Sequence, residues 1–141
     1  MTWDTNAPLL ADKSAWARVS SYPDAWLRAL EADRLVICAI VHLELLYSAQ
    51  TRTDVEHLDA ELGRLRDVPI TRGTLTAAKR AMLDLARRGS DGHHRLPPQD
   101  VIIAACAAEH GCAVLHYDAH YDRLGDVLGF EAIWVVPRGS I

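Results

Sequence analysis

The stretch Leu9-Leu10-Ala11-Asp12-Lys13-Ser14-Ala15 joins a short apolar run to an acidic residue and then to a helix start. An apolar run of strand length reads as a buried strand, and such strands alternate with helical segments in βαβ units. Working outward, the same alternation places strands at 9–11, 35–38, 68–70, 113–117 and 132–136. Helices are expected over 14–19, from Ser21 and Pro23 through Leu30, over 39–50 and 54–65, around 75–86, over 99–110 and over 121–128. Val55, Leu58 and Leu62 fall at helical spacing, Gly89, Gly111 and Gly129 stand where helices stop, and 89–98 is a polar loop. The expected fold is α/β: a single three-layer α/β/α domain over 1–141, with a mostly parallel five-stranded sheet.

The chain has 141 residues, half of them apolar, enough for one domain with its own core. The start, Met1-Thr2-Trp3-Asp4-Thr5-Asn6, has no positive segment leading into an apolar one, and no apolar run approaches the roughly 18 residues of a membrane span. A cytoplasmic protein is the expectation. Cys38, Cys106 and Cys112 are odd in number, form no CxxC pair and lie in or beside apolar runs, so they read as buried reduced thiols. The net charge of −4 argues against holding nucleic acid by bulk electrostatics. Residues 52–95 nevertheless carry nine Lys/Arg against seven Asp/Glu, leaving the excess of acid to the remainder of the chain.

Four acids sit where the pattern calls for something apolar or neutral. Asp12 closes Leu9-Leu10-Ala11, and Glu44 interrupts the apolar helix 39–50. Asp100 leads Val101-Ile102-Ile103-Ala104-Ala105, and Asp118 ends Ala113-Val114-Leu115-His116-Tyr117. Carboxylates tied to core segments need a partner, and a hard divalent cation both suits their oxygens and relieves their repulsion. Asp12 and Asp118 each follow a strand, the place where open α/β sheets bind ligands. Each of Asp12, Asp100 and Asp118 also precedes a helix, where an Asp is commonly a cap, and Asp122 fits a helix N-terminal charge. Glu44 fits either a buried cation or a solvent stripe.

In this order the motifs resemble the PIN-domain ribonucleases, most closely the toxin half of bacterial VapBC-type toxin–antitoxin pairs, over nearly the whole chain. The likeness rests on Leu9–Ala15, on Glu44 within the helix after the second strand, on Pro98-Gln99-Asp100-Val101-Ile102-Ile103, and on Asp118-Ala119-His120-Tyr121-Asp122, which is similar to a D-x-x-[FY]-D pattern. It implies that Asp12, Glu44, Asp100 and Asp118 hold Mg²⁺ or Mn²⁺, with Asp122 an accessory and Ser14 helping to hold a water of the metal. A metal-dependent endoribonuclease acting on structured RNA, a small antitoxin that blocks the acidic pocket, and a homodimer are implied with it; the exposed position of the helical hairpin at 54–65 in the pattern makes that the dimer surface to examine. The chain departs from the pattern at Lys13, at the eleven residues before Asp12, at Asp4-Thr5-Asn6, which imitates the opening motif, and at His116, where Thr or Ser is frequent.

Affinity for RNA would then come from local cations, with Lys13, Arg87, Arg88 and Arg95 the candidates, and His116 is either a contact to RNA or a cap on the strand end. The histidines do not spell a zinc site, because His116 and His120 straddle a strand-to-helix turn. Trp3, Trp16, Trp26 and Trp134 read as packing residues. A receiver-like regulatory module is disfavoured because Lys13 and Lys79, the only lysines, are not after a late strand. A PIN nuclease acting on DNA or in RNA maturation stays open.

Overall fold

Each apolar run is too short to bury itself, and the helical segments between them are long enough to cross over, which favours parallel pairing. In the computed structural model, which describes residues 3–141, the strands are β1 Leu9–Ala11, β2 Leu35–Ile37, β3 Arg66–Asp67, β4 Ala113–His116 and β5 Ala132–Trp134. They form one sheet in the order β3-β2-β1-β4-β5, and every pairing is parallel rather than mostly so. The helices are α1 Lys13–Trp16, α2 Pro23–Glu31, α3 Ala39–Ser48, α4 Arg52–Leu62, α5 Arg72–Arg88, α6 Pro98–Glu109 and α7 His120–Leu128, with a 3₁₀ turn at Val19–Ser21.

Alternation along the strands divides the core into two. Leu10, Val36 and Val114 pack with Val41, Leu85, Ile103 and Leu124 from the helices on one face. Leu9, Leu35, Ala113 and Leu115 pack on the other face with Ala15, Ala25, Trp26 and Ala29. Leu9, Leu10, Leu85, Ile103 and Leu115 are wholly or almost wholly buried, each worth ~1.5–3 kcal/mol of transfer free energy, so the three layers are held chiefly by apolar burial. All three cysteines are free and buried, as expected.

The sequence misplaces the third strand. It lies at Arg66–Asp67, not 68–70, and the Val68 N–H still donates to the Ile37 carbonyl at 2.8 Å. Pro69 has no N–H with which to extend the ladder. The first helix is shorter than 14–19 because Arg18, at φ −117°, has left helical conformation. Helix α4 begins at Arg52, two residues earlier than expected, since the Thr51 hydroxyl caps the Asp54 N–H at 3.1 Å. Gly111 and Gly129, at φ +64° and +80°, follow α6 and α7 in the left-handed region that glycine occupies freely.

Strand β1 occupies the centre of the sheet and thereby decides where the acids meet. It lies between β2 and β4, with Leu9 opposite both Leu35 and Ala113. Chain order reverses there, and Asp12 and Asp118 come off the carboxyl ends of these neighbouring strands, β1 and β4.

Candidate metal centre

Asp12 is 5% exposed and caps α1, its Oδ1 accepting the Ala15 N–H at 3.1 Å and the Ser14 hydroxyl at 2.5 Å. The Ser14 oxygen in turn accepts the Tyr117 N–H at 2.8 Å, so one hydroxyl ties the end of β1 to the end of β4. Burial, opposed by these hydrogen bonds and reinforced by Asp100, pushes the Asp12 carboxyl up from 3.8 to about 6. An Asp that served only as a cap would ordinarily be solvated and easily ionised.

Asp100 enters from the first turn of α6, which opens on Pro98 with Pro97 preceding it. Its Oδ2 lies 3.1 Å from His120 Nδ1, and its Oδ1 accepts the Tyr121 hydroxyl at 3.4 Å. Burial raises its pKa, as does the nearby Asp118, against the lowering effect of His120. Asp118 Oδ1 accepts the His120 N–H at 3.0 Å and lies 3.3 Å from His120 Nδ1. One ligand atom each from Asp100, Asp118 and His120 fall within 4.8 Å of one another, which is close enough to share a cation.

Glu44 arrives from α3, which packs against α6. Its Oε1 is buried with no hydrogen-bond partner, and burial first, then Asp100, raise its pKa, while Lys13 lowers it. Tyr121, fully buried at the start of α7, registers the whole arrangement: its hydroxyl is pushed up by burial and then by Asp12, Asp100, Glu44 and Asp118 together. Asp100 touches this phenol and groups with Asp118 and His120, while Asp12 and Glu44, outside that group of three, act on the phenol through their charge. An unsatisfied carboxylate oxygen and three carboxyls of raised pKa describe charge that lacks a counter-charge, and carboxylate oxygens suit a hard divalent cation.

The other candidates divide. Ser14 lies in the cluster, and Lys13 is near enough to act on Glu44. Asp122 faces elsewhere, accepting the Trp134 indole N–H at 3.1 and 3.2 Å. His116 is fully buried behind the site: its Nδ1 accepts the Asp118 N–H at 3.1 Å, which puts the ring proton on Nε2. That Nε2 has no hydrogen bond, the nearest carboxylate, Asp122 Oδ1, being 3.8 Å away, and burial pushes the imidazole down to about 4, so the ring is neutral near pH 7. Burial rules out direct contact between His116 and an RNA. Arg88 pairs with Asp84 at 3.1 Å, and Arg87 lines a groove of about 410 Å³ between α5 and α7 that none of the four acids lines. The Arg95 N–H closes a turn onto the Gly92 carbonyl in the loop before α6. Sequence reasoning does not mark His120 and Tyr121 as site residues, although both stand inside the Asp118–Asp122 motif.

A parallel α/β/α sheet with an acidic centre at its switch point is the architecture of a PIN domain, and the PIN domain family model matches residues 9–127. The chain belongs to the PIN-domain family, and within it to the VapC ribonucleases. It is 39% identical over 132 residues to Ribonuclease VapC18 of Mycobacterium tuberculosis, covering 92% of this chain and 96% of that one. With Ribonuclease VapC51 of the same organism it shares 35% identity over 111 residues, 79% of each chain. Among solved structures, VapBC2 from Rickettsia felis, bound to a DNA fragment from its promoter, superposes with a TM-score of 0.69 at 15% identity, covering 95% of this chain and 99% of that one, a likeness of fold.

Proposed function

We propose that this protein is the toxin of a type II toxin–antitoxin pair, a Mg²⁺- or Mn²⁺-dependent endoribonuclease that hydrolyses phosphodiester bonds in structured RNA. The observation that carries the site assignment is the grouping of Asp100, Asp118 and His120, one ligand atom each within 4.8 Å of the others, with one Glu44 oxygen, on the helix packed against that of Asp100, buried and unpaired. Asp12, Glu44, Asp100 and Asp118 would hold the cation. When bound, the cation supplies a lowered pKa for the attacking water and charge neutralisation at the scissile phosphate.

The chain's own residues do the rest. Ser14 fixes Asp12 and, through the Tyr117 N–H, holds the two strand ends at a set spacing. His120 orients Asp100 and Asp118 from between them, and Tyr121 donates to Asp100. Such outer partners fix ligand orientation. Lys13, whose charge acts on Glu44, would meet a phosphate. Unpaired loops are the preferred substrate class, because splayed bases allow the backbone to enter a small acidic site.

The solved neighbours include VapBC complexes, and for this chain the reading entails a small antitoxin whose basic side chain enters the acidic pocket, together with a homodimer. Among the described residues no helix is long and apolar enough to cross a membrane. The test is cleavage of total RNA by purified protein with Mg²⁺ or Mn²⁺, with EDTA, and with Asp12→Ala alongside. Discrete cuts that require the metal and vanish in the variant are expected. Silence from a folded, metal-binding protein would overturn the reading.

A further inference from the structure

At the same end of the sheet, four side chains outside the acidic centre form a second arrangement. Trp134 ends β5 and pairs in register with His116 of β4, whose ring lies 4.9 Å from the indole. Tyr117, the residue before Asp118, meets Trp134 edge to face at 5.4 Å and 86°. Both rings are only half-buried. The Arg18 guanidinium lies 4.7 Å over the Tyr117 ring, and that of Arg138 lies 5.6 Å over Trp134. Asp122 holds the indole N–H with both carboxylate oxygens, so the ring is fixed in orientation. The Tyr117 hydroxyl accepts the Gly139 N–H at 2.8 Å and donates to the Ile141 carbonyl at 3.1 Å, which keeps the segment bearing Arg138 against the rings.

Two oriented, partly buried aromatic rings with two guanidiniums above them stand out on a chain of net charge −4. This is the chemistry that binds unpaired nucleotides: aromatic faces stack on bases, and guanidiniums take phosphates or extend the stack. The place also fits: Tyr117 immediately precedes Asp118, and its backbone N–H is tied through the Ser14 hydroxyl to Asp12, so the residue that carries one of the rings is anchored to the acidic centre.

We propose that Trp134 and Tyr117, flanked by Arg18 and Arg138, form a subsite for an unpaired nucleobase next to the scissile phosphate, an inference that rests on the ribonuclease reading. A base sandwiched between indole and guanidinium needs about 7 Å, two contacts of ~3.5 Å each. The 5.6 Å now present is short of that, so the exposed Arg138 swings outward by about 1–2 Å as the base enters. Stacking accepts any base, so the subsite selects unpaired over paired RNA rather than one nucleotide over another.

The experiment is fluorescence anisotropy with a labelled 12-nucleotide oligouridylate and with its duplex, in Mg²⁺, using full-length Asp100→Asn protein so that the probe survives. The single strand binds, the duplex binds more weakly, Trp134→Ala weakens single-strand binding about tenfold, and Trp134→Phe, which keeps a ring but loses the Asp122 bond, recovers most of it. In the cleavage-competent background the Trp134→Ala loss falls on KM rather than kcat. Equal binding by Trp134→Ala and its parent, no binding by the parent, or a Trp134→Phe as weak as the alanine variant overturns the subsite. Absent cleavage together with Trp134-dependent binding removes the ribonuclease reading and leaves the subsite standing.

Discussion

The Nδ1 atom of His120 lies 3.1 Å from Asp100 Oδ2, which places an imidazole against a carboxylate contributed by a different helix. Because Asp118 is also within 3.3 Å of that nitrogen, the ring holds two of the proposed ligands at one separation. Replacing it with alanine frees both carboxylates to rotate. The concentration of Mg²⁺ or Mn²⁺ needed for half-maximal cleavage should rise about tenfold in His120→Ala, the usual cost of losing an orienting partner. A metal titration that superposes on that of the parent would remove His120 from the centre.

Asp100→Asn keeps the shape of the side chain and removes its charge. Cleavage should fall by more than about 100-fold, beyond the cost of an outer partner, while thermal unfolding stays cooperative. Lys79→Ala, on the exposed side of α5, serves as the control and should leave both unaltered. Undiminished cleavage in Asp100→Asn would sink the site assignment.

Asp12 makes metal-free stability depend on pH in a definite direction. Its pKa is 3.8 in the unfolded reference and about 6 in the fold, so the folded protein binds the extra proton between these values. The stability this contributes is complete below about pH 3.8 and is lost as pH rises through about 6. Over that window the loss is about 3 kcal/mol, and Asp100 and Glu44, also raised, act in the same sense. In urea titrations without metal, Asp12→Asn should gain on the parent as pH goes from 4 to 7, and divalent cation should stabilise the parent more at pH 7 than at pH 5. A constant gap between the two proteins would contradict the buried-carboxylate account.

His116 is a wholly buried polar residue whose Nδ1 satisfies the Asp118 N–H. His116→Ala leaves a void between Tyr121 and Trp134 and strands that N–H, at a combined cost of roughly 2–4 kcal/mol in urea unfolding. A loss under about 0.5 kcal/mol, the size of an ordinary surface substitution, would show that the ring is not a structural support.

What could be read from the sequence was what local pattern encodes. Asp12 and Asp118 were visible because an apolar run that ends in a carboxylate is a local signature, and Glu44 was visible as a misfit in an otherwise apolar helix. Strand β3 is not legible in this way, since the exposed Arg66 and Asp67 at the sheet edge carry no apolar mark, whereas the buried Val68 just after them does. Asp122 stands where its reading as a helix N-terminal charge puts it, in the first turn of α7, but its carboxylate turns to the Trp134 indole, a contact across to β5 that no local spacing encodes. The part played by His120 comes from how α6 packs on α7, and no spacing within either segment encodes that contact.

The central place of β1 has a consequence for how the protein is made. The Ser14–Tyr117 bond that joins the two halves of the centre spans 103 positions, so a growing chain displays Asp12 long before Asp118 exists. At ~5–20 residues per second, translation separates those events by roughly 5–20 s. During that interval the first strand lacks its β4 neighbour and the acids cannot converge. A ribonuclease that uses these proposed ligands has no complete centre until Asp118 has been made, over a hundred positions after Ser14.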